Sequence, residues 1–315
     1  MARLARTPDA ILRGLEWTVL RRLEGLLQGD YRTLFRGAGI DLSNLREYQD
    51  GDDVRYIDWN VTARLQTLHV REYQQDRELT AWFLLDVSPS VDFGSNAVSK
   101  RTVLGEFVAV MARLLTGKGN YCGAMLFSAG IDRVMPPRGG RRQVLHILDL
   151  LGARPRLVRL GTTDLNAILR RAASMIRRRS VVFVVSDFIS RSDWGKALGL
   201  LARRHEVVAV RLLDPLEARM PDIGLLTFQD AETGEQIFAD TSDPRFRRRF
   251  SDAAREAQDS LRANFASAGV DCLEVSTEDD LLDAFIRFAQ MRKLRHKSAV
   301  GESLPAHQHL LAPVN

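Results

Sequence analysis

Three short stretches of the chain carry oxygen-bearing side chains at spacings that could hold a small cation. Asp86-Val87-Ser88-Pro89-Ser90 offers a carboxylate and two hydroxyls at alternate positions. Gly161-Thr162-Thr163-Asp164 offers a further hydroxyl at Thr163, and Ser186-Asp187-Phe188 a second carboxylate. Asp86, Ser88, Ser90, Thr163 and Asp187 form an all-oxygen set without His or Cys. Such a set suits a hard ion, Mg2+ first, with Mn2+ or Ca2+ as alternatives, because Mg2+ takes octahedral oxygen and keeps several waters. Zinc or copper would ask for nitrogen or sulfur. Each stretch alone has a plainer use: Asp-x-Ser-x-Ser can form a turn, and Thr163 and Asp164 are good helix N-caps. The conjunction points to an ion, provided that the three stretches meet.

Meeting demands a common sheet. Short apolar runs at Leu79–Asp86, Tyr121–Phe127, Ser180–Ser186, Val207–Leu213 and Val270–Val275 read as buried strands. Amphipathic stretches near 98–116, 140–151, 164–178, 193–204 and 246–268 read as the helices between them. This alternation predicts an α/β fold, a mainly parallel sheet with helices on both faces. In such sheets ligands lie beyond the carboxyl ends of the strands, where the strand order reverses. Asp86 and Asp187 each directly follow an apolar run, and Thr163 opens the helix that feeds the second of them. A surface hairpin is expected over Leu225–Ala239, turning at Glu232-Thr233-Gly234-Glu235. A closing helix is expected from about Asp279 to Leu294.

The N-terminal quarter reads differently. Leu12, Leu15, Val19, Leu23 and Leu26 give an amphipathic helix ending near Gly29, with a basic opposite face. Residues 30–78 hold the turn chemistry of Gly37, Gly39, Gly51 and several Asp, and Thr67–Tyr73 reads as a short strand. The expected organisation is residues 1–78 as helix and extended β-containing arm, 79–295 as the α/β domain, and 296–315 as a disordered polar tail.

Bulk properties narrow the function. The 315 residues allow one large domain or two modest ones, and 45% hydrophobic with 27% charged residues describes a globular chain. The net charge is +5, but Lys occurs only at positions 100, 118, 196, 293 and 297, so the basicity is almost all Arg. Aromatic residues are 7% and scattered, which argues against a nucleic-acid groove. The triplets Arg177-Arg178-Arg179 and Arg247-Arg248-Arg249 read as solvated faces, the first at a helix C-terminus. Cys122 and Cys272 read as core thiols of a reducing compartment. No run approaches a membrane span, and the charged N-terminus is no signal peptide, so no integral membrane segment and a cytoplasmic location are expected.

Asp86-x-Ser88-x-Ser90, followed by Thr163 and Asp187, resembles the metal-ion-dependent adhesion site of von Willebrand factor A domains. The resemblance implies that Ser88, Ser90 and Thr163 touch the cation or hold it through water, while Asp86 and Asp187 balance its charge. One coordination position would be left for a partner's carboxylate. Ser186-Asp187-Phe188 stands where many such domains have Thr-Asp-Gly, and Pro89 lies inside the first motif. Neither departure removes a ligand.

A second block, Leu45-Arg46-Glu47-Tyr48-Gln49-Asp50-Gly51-Asp52-Asp53-Val54-Arg55-Tyr56-Ile57-Asp58-Trp59 with Thr62-Ala63-Arg64, is similar to the hallmark of a bacterial family of domains of unknown function, number fifty-eight. There too the block precedes an A-like domain. The similarity covers roughly residues 35–215. It implies a non-enzymatic adaptor for an AAA+ ATPase of the MoxR type, working in chaperone-like maturation, with the ATPase or a client protein supplying the acidic side chain. In physical terms the block alternates acids with Arg46, Arg55 and Arg64 and interleaves Tyr48, Tyr56 and Trp59. It is either an arm clamped to its own domain or a docking surface for the ATPase.

The main rival is a Mg2+-dependent phosphotransferase or hydrolase using Asp86 as nucleophile. Ser88 occupies the position two residues on, where a second acid would be required, and there is no Walker A sequence. Gly117-Lys118-Gly119 follows a helix instead of opening one, which makes it a poor phosphate cradle. No catalytic residue is assigned.

Overall fold

The computed structural model describes residues 9, 45–49, 52, 54, 57–71, 79–95, 97–153, 162–190 and 192–298. The run Thr80–Asp86 forms β3, and every residue of it after Thr80 is buried. Alternate side chains of a strand leave on opposite faces. Ala81, Phe83 and Leu85 therefore enter one core and Trp82 and Leu84 the other. The same two-sided burial holds for β6, Val181–Ser186. Phe83 and Phe183 lie directly across from one another in these two strands, with ring centroids 5.1 Å apart.

Around this pair a six-stranded sheet is built with β4 (Tyr121–Phe127), β5 (Ile131–Arg138), β7 (Glu206–Leu213) and β10 (Asp271–Ser276), in the order β10-β7-β6-β3-β4-β5. All neighbours are parallel except β4 and β5. One face is covered by α2 (Lys100–Thr116), α3 (Arg141–Gly152) and α8 (Leu281–Ser298). The other is covered by α4 (Leu165–Met175), α5 (Gly195–Ala202) and α7 (Pro244–Ala268). A further single turn, α6, spans Pro215–Ala218. This is the expected α/β class, a mainly parallel sheet with helices on both faces. The chain leaves β3 toward β4 on one side and later places β6 on the other, so the switch point lies between β3 and β6.

The five expected core strands and the helices between them are present. β5 is a strand that the pattern did not predict. It carries Pro136 and Pro137, tolerable because β5 lies at the sheet edge, where no further ladder needs their missing N–H groups. The pairing slips between Cys122 and Ala124. A Cβ on Gly123 would stand 3.0 Å from the Met135 carbonyl oxygen. Gln143 closes this irregular edge by donating to the carbonyls of Cys122 (2.9 Å) and Pro136 (3.1 Å). The Arg177–Arg179 triplet lies beyond the end of α4, not in its last turn.

The expected hairpin is formed by β8 (Leu225–Gln229) and β9 (Gln236–Asp240). The closing helix continues to Ser298, past Leu294. Of the N-terminal arm, β1 (Leu45–Glu47) pairs antiparallel with β2 (His69–Arg71), and α1 spans Trp59–Leu65. Within the charged block, Asp58 is buried and caps α1 by accepting the Val61 N–H (3.2 Å), and Asp52 accepts the Gln49 N–H (2.8 Å). The expected helix over residues 12–26 lies outside the described residues. No helix among the described residues is long and apolar enough to cross a membrane. Burial pushes the Cys122 thiol up to about 12, which makes it an inert core residue.

Candidate cation site

β3 delivers Asp86 to the carboxyl edge of the sheet, and the backbone turns there at once. The Asp86 Oδ1 accepts the Ser88 N–H (2.9 Å) and thereby fixes the Asp-x-Ser turn. A 3-10 turn follows at Pro89–Asp92. Pro89 sits in its first position, where a preset φ helps and a missing N–H costs nothing, so the proline inside the motif is a local aid. The turn brings the Ser88 and Ser90 hydroxyl oxygens to 3.0 Å.

The adjacent strand supplies the second half. The Ser186 hydroxyl donates to Asp86 Oδ2 at 2.6 Å, joining β6 to β3 through their last side chains. Asp187 follows, its Oδ1 accepting the Ile189 N–H (3.1 Å) and its Oδ2 meeting the Lys100 ammonium at 2.9 Å. The loop then turns back: Ser190 donates its hydroxyl to the Thr163 carbonyl (2.9 Å) and accepts the Leu165 N–H (3.3 Å). Ser190 thus ties Thr163 to the segment that follows β6. Asp164 caps α4 by accepting the Ala167 N–H (3.1 Å), as its position suggests. Asp86, Ser88, Thr163 and Asp187 are all buried, and Ser90 is half-buried.

Phe188 stands where the resembled motif has glycine, and its φ is +60°. That left-handed conformation is strained for a bulky residue. The ring compensates by packing: Phe188 is buried against Trp194 (5.2 Å) and edge-on to Phe265 (4.9 Å).

Four residues of the site had no local sequence signal. Lys100 is buried at the start of α2 and bonds both Asp187 and Glu217, the latter at 2.6 Å. The loop launching it passes Gly94, where a Cβ would lie 2.4 Å from the Val98 carbonyl oxygen. Glu217 belongs to α6, whose N-cap Asp214 accepts from the Ser95 N–H (2.8 Å), the Ser95 hydroxyl (3.0 Å) and the Thr277 hydroxyl (2.9 Å). From the tip of the β8–β9 hairpin, Glu232 accepts the Thr163 N–H at 3.2 Å and the Thr163 hydroxyl at 3.0 Å. The one hint was that Lys100 is among only five lysines in an arginine-rich chain.

The electrostatics follow from this crowding. Burial first, and then the charge of Asp187, push the Asp86 carboxyl up to about 7, against hydrogen bonds from Ser186 and Ser88 that act downward. Burial acts downward on Lys100, but Asp187 and Glu217 outweigh it and hold the ammonium above the ordinary lysine value. Burial acts upward on Asp214, and the bonds from Ser95, Leu216 and Thr277 outweigh that and hold it below the usual carboxylate range.

The Lys100 ammonium is shared by two acids, Asp187 and Glu217. Among the described residues no group of three or more His, Cys, Asp and Glu stands in a metal-holding arrangement, so a zinc-type or carboxylate-rich centre has no counterpart here. Asp86, Ser88, Ser90 and Asp187 lie at or just beyond the carboxyl ends of β3 and β6 and offer oxygen donors of the kind that a hard cation such as Mg2+ would take. Around Mg2+ at about 2.1 Å, adjacent octahedral oxygens stand ~3.0 Å apart. The Ser88 and Ser90 hydroxyls meet that spacing.

Residues 44–260 match the family model described as "Protein of unknown function DUF58". The chain is 35% identical over 284 residues to the uncharacterized protein Mb1516 of Mycobacterium bovis, covering 90% of this chain and 89% of that relative. Among solved structures it is similar to the conserved hypothetical protein BatB from Bacteroides thetaiotaomicron (TM-score 0.44, 13% identity, 69% of this chain and 99% of that one). It is also similar to a von Willebrand factor type A protein from Catenulispora acidiphila (TM-score 0.35, 11% identity, 72% of this chain and 43% of that one).

Proposed function

On the premise that this chain belongs to the DUF58 family, we propose that it is a cation-dependent protein-binding module, holding one Mg2+ or Mn2+ with Asp86, Ser88, Ser90, Thr163 and Asp187. The ion's remaining position takes an acidic side chain from a partner, in the first instance a MoxR-type AAA+ ATPase or its client. The observation that carries this reading is a pair of hydrogen bonds at the two ends of the segment 186–190, from the Ser186 hydroxyl to Asp86 and from the Ser190 hydroxyl to the Thr163 carbonyl. Both bonds involve the segment after β6, on the carboxyl side of the sheet where α/β folds bind their ligands, which supports the reading. The ATPase enters through the family resemblance. Residues 79–295 form the module in this reading, and the block before it is the further surface for the ATPase.

The ion supplies Lewis acidity for a carboxylate, and the chain's residues hold it in place. Asp86 is poorly suited to be a nucleophile: it is buried, both of its oxygens are engaged, and its carboxyl favours the proton up to about 7. Binding is therefore favoured over catalysis. Calorimetric titration of the full chain with Mg2+ and Mn2+ tests the site. One ion per chain is expected, lost in Asp86→Ala and Ser88→Ala. Capture of a MoxR-type ATPase is expected with Mg2+ and lost with a chelator. Mn2+ binding that survives unchanged in both variants refutes the reading.

A further inference from the structure

Residues 220–244 carry six acids, Asp222, Asp230, Glu232, Glu235, Asp240 and Asp243, and no Lys or Arg. The next five residues, 245–249, carry four arginines. The first stretch folds as the β8–β9 hairpin with its flanks, and the second opens α7. Arg247 joins the two, donating to the Thr241 carbonyl (2.6 Å) and pairing with Asp222 (3.1 Å). An acidic and a basic surface therefore lie side by side on one copy of the chain. Cations lower the stability of a helix at its opening turn, where the dipole is positive. Arg245, Arg248 and Arg249 stand there nonetheless, at i, i+3 and i+4 on one side of α7. All three are exposed, and none forms an ion pair among the described residues.

The hairpin adds an apolar element. Leu225 and Phe238 are diagonal neighbours on its outer face, each 79% exposed, while Ala239 on the opposite face is buried. The ribbon is fixed at both ends. The Thr241 hydroxyl bonds Gly224 (2.6 Å) and Ile223 (3.0 Å) at its base, and Glu232 accepts the Thr163 hydroxyl (3.0 Å) at its tip. An apolar pair held out to solvent on a fixed, acid-rimmed ribbon is a docking surface. We propose that its occupant is a second copy of this chain, the hairpin of each copy lying on the opening turns of the other copy's α7. A purely acidic or purely basic partner would meet one surface and be repelled by its neighbour. A second copy, turned about a two-fold axis, offers the complement of both. Such an axis, passing between hairpin and α7, uses each surface twice and closes after two chains. The pairing involves none of the proposed cation ligands and does not depend on that site.

Sedimentation of the full chain over the micromolar range, in the presence of a chelator, tests the pairing. A monomer–dimer equilibrium is expected. A hairpin variant, Phe238→Ser with Glu235→Arg, and a helix variant, Arg245→Glu with Arg248→Glu, are each expected to raise the dimer dissociation constant about tenfold or more. Mixed in equal amounts, the two variants are expected to dimerise more tightly than either alone, because the mixed dimer keeps one intact hairpin–helix contact. The helix variant is expected to unfold at or above the wild-type temperature, since acids suit that end of a helix, so its loss of dimer is not a loss of fold. A dimer that the helix variant leaves unchanged, or a mixture no tighter than its components, overturns the hairpin–helix pairing. A wild type that stays monomeric overturns it too, and binding of DNA or anionic vesicles by that monomer assigns the arginines to a polyanion instead.

Discussion

The Lys100 ammonium lies 2.9 Å from Asp187 Oδ2 with both side chains at most 2% exposed. The site therefore already contains one cation of the protein's own. That ammonium neutralises Asp187 from the chain's own resources and leaves the hydroxyl side of the site to the proposed ion.

Lys100→Met is expected to destabilise the chain by about 3–5 kcal/mol, because it strands a buried carboxylate. Urea unfolding reads this directly. Saturating Mg2+ is expected to restore part of the loss, since the ion can take over the charge of Asp187. Equal losses with and without Mg2+ would separate Lys100 from the site.

The Asp86 carboxyl rises from 3.8 to about 7 on folding, so the folded state holds this proton more tightly than the unfolded state. Its contribution to stability is full below about pH 4 and is lost as pH rises through about 7, by at most about 1.4 kcal/mol per pH unit. Urea midpoints of the metal-free chain between pH 4.5 and 8 are expected to fall more steeply in the wild type than in Asp86→Asn. Saturating Mg2+ flattens the difference, because ion and proton compete for Asp86.

At Phe188 the usual order of small residues is expected to reverse. Phe188→Ala forfeits the aromatic packing, about 3–5 kcal/mol. Phe188→Gly forfeits it too but regains about 1–2 kcal/mol from the left-handed backbone. Thermal unfolding should place the Gly variant above the Ala variant. Ala above Gly would show that the backbone relaxes away from +60°.

Ser190 positions Thr163 and touches no other proposed ligand. Ser190→Ala is expected to cost about 1 kcal/mol of stability. The same change should lower Mn2+ affinity about tenfold, because the Thr163 loop is no longer fixed. A loss of stability with unchanged affinity would limit Ser190 to a structural role.

What the sequence made legible depended on range. β3 and β6 were readable because two-sided burial writes a continuous apolar run. The Asp86, Ser88, Ser90 and Asp187 positions were readable because they sit directly beyond those runs. β5 was hidden by Pro136 and Pro137, which its edge position tolerates. Lys100 was hidden because its partners lie 87 and 117 residues away, and Glu232 because it met the eye as turn chemistry. No local pattern records such pairings; only the closing of the sheet brings them about.

The strand order has one more implication. β3 and β6 occupy the two middle places of six, and each is bonded along both sides. Fraying that begins at β5 or β10 must cross an intervening strand before it loosens either partner of Asp86 and Asp187. The frame that seats the proposed ion is thus the last part of the sheet to open, while the lone hairpin that bears Glu232 belongs to the first.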